Sequence, residues 1–239
     1  MRNTQILRSV EIDWSKVAPD SYFNQIQALR NTDHIDFDYP VTLFAGENGS
    51  GKSTFLEAIA VAYGFNPEGG TRNYRFSTYD SHSGLCNALR LTRGIRRAVH
   101  GYFLRAESFY NVASAEEEYS RGPNGNPQHF HEKSHGESFL ALVQENFCAG
   151  GFYLLDEPEA ALSPQRQLTL LLEICRCARG GAQFIIATHS PILLGIPDAE
   201  ILSFDEGRIH SCPYEKTDSF QVMSMFINHR DQVLQKLLQ

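Results

Sequence analysis

One stretch near residue 50 constrains the fold of this chain more than any other. It reads Gly46-Glu47-Asn48-Gly49-Ser50-Gly51-Lys52-Ser53-Thr54, a G-x-x-x-x-G-K-S pattern. The apolar run 41–45 precedes this pattern, and the run 55–62, which has helical character, follows it. A strand, a glycine loop and a helix in this order form the context in which the pattern becomes a phosphate-binding loop. We therefore expect residues 46–54 to wrap around the phosphates of a nucleoside triphosphate.

The residue types in this loop suit that chemistry. The glycines allow consecutive backbone N–H groups to point inward, and the helix N-terminus adds its partial positive charge. Lys52 is expected to reach the β- and γ-phosphates, and the Ser53 hydroxyl to ligate Mg²⁺. The residues predicted to contact the nucleotide here are Gly46, Asn48, Gly49, Ser50, Gly51, Lys52, Ser53 and Thr54.

Two further turns carry residues that can bind a metal ion or take part in catalysis. Asp156 and Glu157 follow the apolar run 152–155, and His189 follows the run 184–187. Asp156 is predicted to hold Mg²⁺ beside Ser53, and Glu157 to orient and deprotonate the attacking water. Two carboxylates are needed because one that binds Mg²⁺ is a weak proton acceptor. His189 is predicted to hydrogen-bond near the γ-phosphate, which makes Lys52, Glu157 and His189 the candidate catalytic residues.

The rest of the chain alternates helical patterns with apolar runs, which favours an α/β fold with a mostly parallel central sheet. We expect one domain over residues 1–239. Alternating residues at 5–17 predict an edge strand. The runs 87–92 and 101–105 predict a hairpin around an arginine-rich turn, which we interpret as solvated rather than as a nucleic-acid contact. Apolar residues at helical spacing between 220 and 238 predict one or two packed helices.

Composition excludes several classes of protein. The formal net charge is −7, so nothing draws the whole chain towards nucleic acid or anionic membranes. No apolar run approaches the ~20 residues that cross a bilayer, and the N-terminus lacks the apolar segment of a secretory signal. The five cysteines form an odd, irregularly spaced set, which argues against a disulfide framework. We therefore expect a cytoplasmic protein that does not insert into membranes.

The motifs at 46–54, 134–138, 154–157 and 159–163, followed by His189, resemble in order those of the ABC-type ATPase superfamily. This resemblance covers most of the chain and implies a P-loop NTPase head, in which helices flank a mostly parallel sheet and an N-terminal antiparallel β portion is attached. Ser134-His135-Gly136-Glu137 is similar to the family's signature motif. The similarity implies that Ser134 and the backbone of Gly136 contact ATP held by a second subunit. The implied assembly is a head-to-tail homodimer that sandwiches two ATP molecules.

Departures from the usual family motifs indicate which branch of the superfamily the chain resembles. The Ser-x-Gly-Glu signature, with Asp156–Glu159 and Thr188–Pro191, is similar to the SMC- and RecF-like branch rather than to transporters. Only 82 positions separate Lys52 from Ser134 (134 − 52), too few for a long coiled-coil insertion, so the chain resembles a compact stand-alone member. No glutamine occurs between Lys52 and Gln128, so the usual Mg²⁺-binding glutamine is replaced or missing. Tyr22 and Phe23 are the candidates for stacking on adenine.

Three functions fit these residues. The first is Mg²⁺-dependent ATP hydrolysis coupled to an unidentified partner, a nucleic acid or a co-encoded effector protein, in DNA repair or defence. The second is the nucleotide-binding subunit of an ABC transporter, which the missing glutamine and the atypical signature disfavour. The third is an ATP-controlled assembly switch with negligible turnover. The pair Asp156 and Glu157 favours the first function because it supplies both a metal ligand and a base.

Overall fold

The computed structural model describes residues 5–71, 84–105 and 135–238. The strands in these residues are β1 (Leu7–Ile12), β2 (His34–Asp36), β3 (Val41–Ala45), β4 (Gly70–Thr71), β5 (Leu89–Arg93), β6 (Gly101–Arg105), β7 (Phe152–Asp156), β8 (Gln183–Ala187), β9 (Glu200–Ser203) and β10 (His210–Ser211). The α-helices are α1 (Gln27–Arg30), α2 (Lys52–Tyr63), α3 (His135–Asn146), α4 (Pro164–Arg179), α5 (Pro191–Leu194) and α6 (Asp218–Leu237).

A seven-stranded sheet forms the centre of the fold, with the strand order β10-β9-β3-β8-β7-β6-β4. The five inner strands are parallel, and an antiparallel strand lies at each edge. The apolar runs at 41–45, 152–155 and 183–187 are buried on both faces, as parallel strands between helices require. The predicted P-loop α/β fold with a mostly parallel sheet is confirmed.

A smaller antiparallel sheet has the order β2-β1-β5 and corresponds to the predicted N-terminal β portion. The prediction of an edge strand at residues 5–17 is wrong, because β1 lies between two partners. Gln183 at the start of β8 joins the two sheets. Its side-chain oxygen accepts from Ile6 N (2.9 Å) and Leu7 N (2.8 Å), and its amide donates to Leu7 O (2.8 Å).

The central sheet separates two apolar cores. Phe152 and Leu154 on β7 point into the core shared with α2 and the smaller sheet, whereas Tyr153 and Leu155 point into the core shared with α3, α4 and α5. The alternation follows from the two-residue period of a strand. Because both faces are covered, only the ends of the central strands reach solvent.

The predicted arginine-rich hairpin is wrong in its pairing. β5 belongs to the small sheet and β6 to the central sheet, so the two strands do not pair with each other. Several of the arginines contact their own chain instead. Arg90 lies 3.5 Å from Asp13, and Arg93 donates to Tyr63 O (3.2 Å) while its guanidinium lies over the Tyr63 ring.

The C-terminal helix also departs from its prediction. The segment is helical, as expected, but α6 buries none of its residues, and its backbone is non-helical at His229. The prediction that these apolar positions pack against the body of the protein is therefore wrong. Within the described parts of the chain, no helix is both long enough and apolar enough to cross a bilayer.

Candidate functional site

The carboxyl ends of the five parallel strands meet at one edge of the central sheet. The phosphate loop follows β3, Asp156 ends β7, and His189 follows β8 by two residues. The sequence predicted that these three turns share an edge, and the strand pairing confirms it. β6 and β9 bring Arg105 and Asp205 to the same edge.

Three glycines of the phosphate loop have positive φ: Gly46 (139°), Gly49 (83°) and Gly51 (102°). Gly51 also packs closely, since a Cβ there would lie 2.5 Å from Ile26 Cγ2. The Ser50 hydroxyl is buried and has no hydrogen-bond partner among the described residues. Among the described residues, the loop thus leaves the Ser50 hydroxyl for a bound anion to use.

Lys52 begins α2 directly after the loop and is buried. Its ammonium donates to Gly46 O (2.7 Å) and Glu47 O (2.8 Å), so it bends back across the loop. Burial lowers the pKa of Lys52, against the opposing effect of nearby carboxylates, of which Glu157 is the strongest. The other carboxylates acting on it are Asp205, Asp156 and Glu159. The ammonium thus lies at the centre of an acidic edge.

Asp156 is held by a cation from the neighbouring strand. Arg105 pairs with Asp156 in the β6–β7 register, and its Nε lies 3.6 Å from Asp156 Oδ2. The same guanidinium donates through Nη1 to Glu57 Oε2 on α2 (2.7 Å). Arg105 therefore joins the strand-end aspartate to the helix that carries Lys52 and Ser53.

Glu157 and His189 face each other at the ends of β7 and β8. His189 Nε2 lies 3.8 Å from Glu157 Oε1, and this nitrogen is buried without a hydrogen-bond partner among the described residues. Burial lowers the pKa of His189, and Lys52 lowers it further. Glu157 has the left-handed backbone conformation (φ 48°), which is uncommon for a residue with a side chain. The turn thus presents the carboxylate outward, towards the imidazole.

Glu159 fixes the turn that carries His189. Its Oε1 accepts from His189 N (2.6 Å) and Ser190 N (3.1 Å). Ser190 in turn caps α5 by accepting from Ile192 N and Leu193 N. The backbone of the histidine turn is therefore set by a carboxylate two residues beyond Glu157.

Asp205 fixes the opposite side of the phosphate loop. Its Oδ1 accepts from Glu47 N (3.0 Å), and its Oδ2 accepts from the Ser203 hydroxyl (3.1 Å). A cavity of about 450 Å³ adjoins this contact and is lined in part by Gly46, His189 and Lys216. The cavity places the start of the C-terminal segment next to the phosphate loop.

The predicted signature motif is described only in part, because Ser134 lies outside the described residues. Gly136 lies in the first turn of α3, close to the start of α4. A Cβ on Gly136 would lie 2.5 Å from Arg166 Nη1 and 3.1 Å from Ala161 O. Arg166 Nη2 also contacts Glu137 Oε1 at 3.0 Å. A side chain here would have to displace the Arg166 guanidinium and would press on the carbonyl of Ala161.

The two aromatic candidates for adenine differ in exposure. Phe23 is buried in the core, and its ring is therefore unavailable to a ligand. Tyr22 is 53% exposed and lies near Thr54 at the start of α2, and burial of part of its ring raises its pKa. Of the two, only Tyr22 presents a face to solvent beside the loop.

Sequence reasoning missed the roles of Arg105, Glu159 and Asp205. A signal existed for Asp205, since it follows an apolar run at 201–204 much as Asp156 follows 152–155. The parallel pairing of β9 with β3 brings Asp205 to the edge where the phosphate loop lies. Arg105 and Glu159 have no comparable signal, because their partners are distant in the sequence.

The donor set fits a nucleoside triphosphate with a divalent cation. Backbone N–H groups, a lysine and the orphaned Ser50 hydroxyl suit phosphate oxygens. The Ser53 hydroxyl and the Asp156 carboxylate are hard oxygen ligands of the kind that Mg²⁺ prefers. The acidic surroundings of Lys52 also favour binding of the polyphosphate together with a cation.

Comparisons with known proteins agree with this geometry. A family model described as "AAA domain" matches residues 21–98, and another described as "AAA domain, putative AbiEii toxin, Type IV TA system" matches residues 137–195. The first match includes the phosphate loop, and the second includes Asp156, Glu157, Glu159 and His189. No curated protein matches the chain.

Solved structures with a similar arrangement include two heads of SMC proteins. An SMC head domain from Thermotoga maritima is 17% identical, with a TM-score of 0.47, over 87% of this chain and 99% of that chain. An SMC head bound to the C-terminal winged-helix domain of ScpA is 15% identical, with a TM-score of 0.49, over 88% and 99%. An ATP-binding cassette of an ABC transporter is 18% identical, with a TM-score of 0.46, over 93% and 96%.

Proposed function

We propose that this chain is an ABC-type ATPase similar to the SMC- and RecF-like branch, that it hydrolyses ATP to ADP and phosphate, and that it transmits its nucleotide state to a partner. The observation that carries the proposal is the pair Glu157 and His189, 3.8 Å apart beside the phosphate loop. A carboxylate and an imidazole at this position can hold a water molecule and accept its proton.

In this proposal, each residue at the sheet edge has its own task. Loop N–H groups and Lys52 bind the phosphates, after the Lys52 ammonium leaves the carbonyls of Gly46 and Glu47. Glu157 accepts the proton of the attacking water. His189 senses whether the γ-phosphate is present, because its buried Nε2 has no hydrogen-bond partner among the described residues and lies 3.8 Å from Glu157 Oε1.

Mg²⁺ would be held by Ser53 and Asp156, and it would neutralise charge on the β- and γ-phosphates. Arg105 positions the Asp156 carboxylate from the neighbouring strand. Tyr22 is the residue that we propose to stack on adenine, because its ring is exposed beside Thr54.

The second half of the site comes, in this proposal, from another copy of the chain. Ser134 and the backbone at Gly136 would contact the γ-phosphate of the opposing subunit, as the signature resemblance implies. The close packing of Gly136 on Arg166 and Ala161 supports this, because it joins the signature turn to the segment that follows Glu159. ATP would thereby hold two heads together.

For the partner we propose a co-encoded effector protein in a defence system. The match of residues 137–195 to a family that includes a toxin of a type IV system supports this choice. Nucleic acid is less favoured at the arginine-rich turn, where Arg90 and Arg93 are engaged with their own chain. Adding DNA, RNA or the product of a neighbouring gene to an ATPase assay would identify the partner by the component that raises turnover.

Replacing Glu157 with glutamine tests the hydrolytic role. Glu157→Gln keeps the shape but removes the base, so we expect ATP turnover to fall at least ~10²-fold while ATP binding persists. The variant should also accumulate as an ATP-bound dimer, measured by light scattering. Glu215→Gln, at an exposed position outside the lining of the cavity beside the phosphate loop, is the matched control. Undiminished turnover in Glu157→Gln would refute the proposed base, and binding without turnover in the wild type would indicate an assembly switch.

A further inference from the structure

Asp205 contacts the first turn of the phosphate loop from the end of the neighbouring strand β9. Its Oδ1 accepts from Glu47 N at 3.0 Å, across a separation of 158 positions in the sequence. Gly46 leaves room for this contact, because a Cβ there would lie 3.0 Å from Asp205 Oδ1 and 3.3 Å from Phe204 Cβ. The start of the loop is therefore attached to β9 as well as to its own strand β3.

The Asp205 carboxylate is itself held in one orientation. Its Oδ2 accepts from the Ser203 hydroxyl (3.1 Å), and the Ser203 oxygen accepts from Asp205 N (3.2 Å). The strand end is fixed by the hydrogen bond from Phe204 N to Ala45 O (2.8 Å). The Phe204 ring also packs 5.0 Å from the Phe44 ring in the core. Asp205 therefore offers the loop an acceptor whose position is set before any ligand binds.

The backbone of Glu47 is held on both sides. Asp205 accepts from its N–H, whereas the Lys52 ammonium donates to its carbonyl (2.8 Å) and to that of Gly46 (2.7 Å). In the proposed function, Lys52 leaves both carbonyls in order to bind the phosphates. Of these three contacts with the first turn of the loop, only the one with Asp205 then remains.

The negative charge of Asp205 makes its location informative. Burial lowers the pKa of both Lys52 and His189, and Asp205 is one of the carboxylates that oppose this shift in each of them. Asp205 thus lies within electrostatic reach of the residues proposed to meet the γ-phosphate. A carboxylate at this edge repels a polyphosphate, so its charge by itself disfavours nucleotide binding. The hydrogen bond to Glu47 N gives the side chain a role that offsets this cost.

We propose that Asp205 is a positioning residue for nucleotide binding, which keeps the phosphate loop in its binding form after Lys52 has turned to the phosphates. The inference deepens the proposed function, and it rests on the binding of ATP at this loop rather than on hydrolysis. Asp205 acts through the backbone of Glu47 and not on the reacting atoms. Its loss should therefore weaken the affinity for nucleotide and leave the chemical step nearly unchanged.

Calorimetric titration with the non-hydrolysable ATP analogue AMP-PNP and Mg²⁺ tests this role. We expect Asp205→Ala to raise the dissociation constant at least ~5-fold, because Glu47 N loses a charged acceptor. Asp205→Asn keeps an oxygen that accepts from Glu47 N and should stay within about 2-fold of wild type. Glu215→Ala, exposed and outside the lining of the cavity beside the loop, is the matched control and should bind as wild type does.

Steady-state ATP turnover separates positioning from catalysis. In Asp205→Ala, KM should rise while kcat at saturating ATP stays within about 3-fold of wild type. A fall in kcat with an unchanged KM would assign Asp205 to the chemical step and contradict the proposal. So would an Asp205→Ala variant that binds AMP-PNP as tightly as wild type. An Asp205→Asn variant as weak as Asp205→Ala would show that the charge matters, as in a metal ligand, and would also overturn the proposal.

Melting temperatures without nucleotide show whether each variant is folded. If Asp205→Ala does not fold, Ser203→Ala carries the test, because it keeps the carboxylate but removes the donor to Oδ2. Its dissociation constant for AMP-PNP should rise at least ~3-fold, and an unchanged value would overturn the proposal. A wild type that binds AMP-PNP without hydrolysing ATP would refute the proposed hydrolysis and leave this comparison intact. A wild type that binds no nucleotide would overturn both.

Discussion

Helices α4 and α6 have similar sequence patterns but opposite surroundings. Each is long and has apolar residues at helical spacing, yet α4 buries Leu170, Ile174 and Cys177, whereas α6 buries nothing. α4 runs between β7 and β8 in the chain and packs on the central sheet. α6 follows the edge strand β10, beyond the last strand of that sheet. Periodicity thus identifies an apolar face, whereas the topology decides whether the same chain covers it.

The largest expected effect on stability comes from shortening one apolar side chain in each of the two helices. Ile174→Ala in α4 removes a fully buried side chain and should lower the free energy of unfolding by about 2–5 kcal/mol. Phe226→Ala in α6 should change it by less than about 0.5 kcal/mol per chain under monomeric conditions. Urea denaturation at low protein concentration measures both. Equal losses would show that α6 is covered by its own chain.

A second comparison sets Glu159, whose carboxylate accepts backbone hydrogen bonds, against the exposed Glu215. Glu159→Ala leaves the backbone N–H groups of His189 and Ser190 without their acceptor, and should cost about 1–3 kcal/mol of stability. It should also reduce ATP turnover, because His189 loses its fixed position. Glu215→Ala, exposed just before α6, is the control. If the two variants unfold alike, Glu159 does not hold the histidine turn.

The smallest expected effect is a dependence of stability on pH. The folded chain lowers the pKa of His189 below its ordinary value near 6.5, so the unfolded chain binds this proton more readily. The stability that neutral His189 contributes to the folded chain is complete above that pH and declines as the pH falls through it. Unfolding free energies at pH 8 and pH 5.5 should therefore show that wild type loses more stability than His189→Gln. His229→Gln, on the exposed helix, is the control, and an identical pH response of wild type and His189→Gln would contradict the assignment.

Much of the candidate site was accessible from the sequence because its signals are local. The phosphate loop, Asp156, Glu157 and His189 each follow an apolar run within a few residues, and parallel strands bring such turns to one edge. Arg105 was not accessible, since its partners Glu57 and Asp156 lie 48 and 51 positions away. The two hydrogen bonds between Gln183 and Leu7 span 176 positions, and no sequence pattern predicts them.

The sequence by itself determined the strand–loop–helix unit at 41–63, the buried strands 152–156 and 183–187, and the chemistry at their ends. These depend on residue types and spacings that are complete within a short segment. Tertiary structure decided which strand lies beside which. It put β5 and β6 in separate sheets and made β1 the middle strand of the smaller sheet. It also brought Arg105 and Asp205 to the edge of the site. It also left α6 uncovered. Pairing and burial depend on distant segments meeting, and the free energy of that encounter is not encoded in any one stretch of the chain.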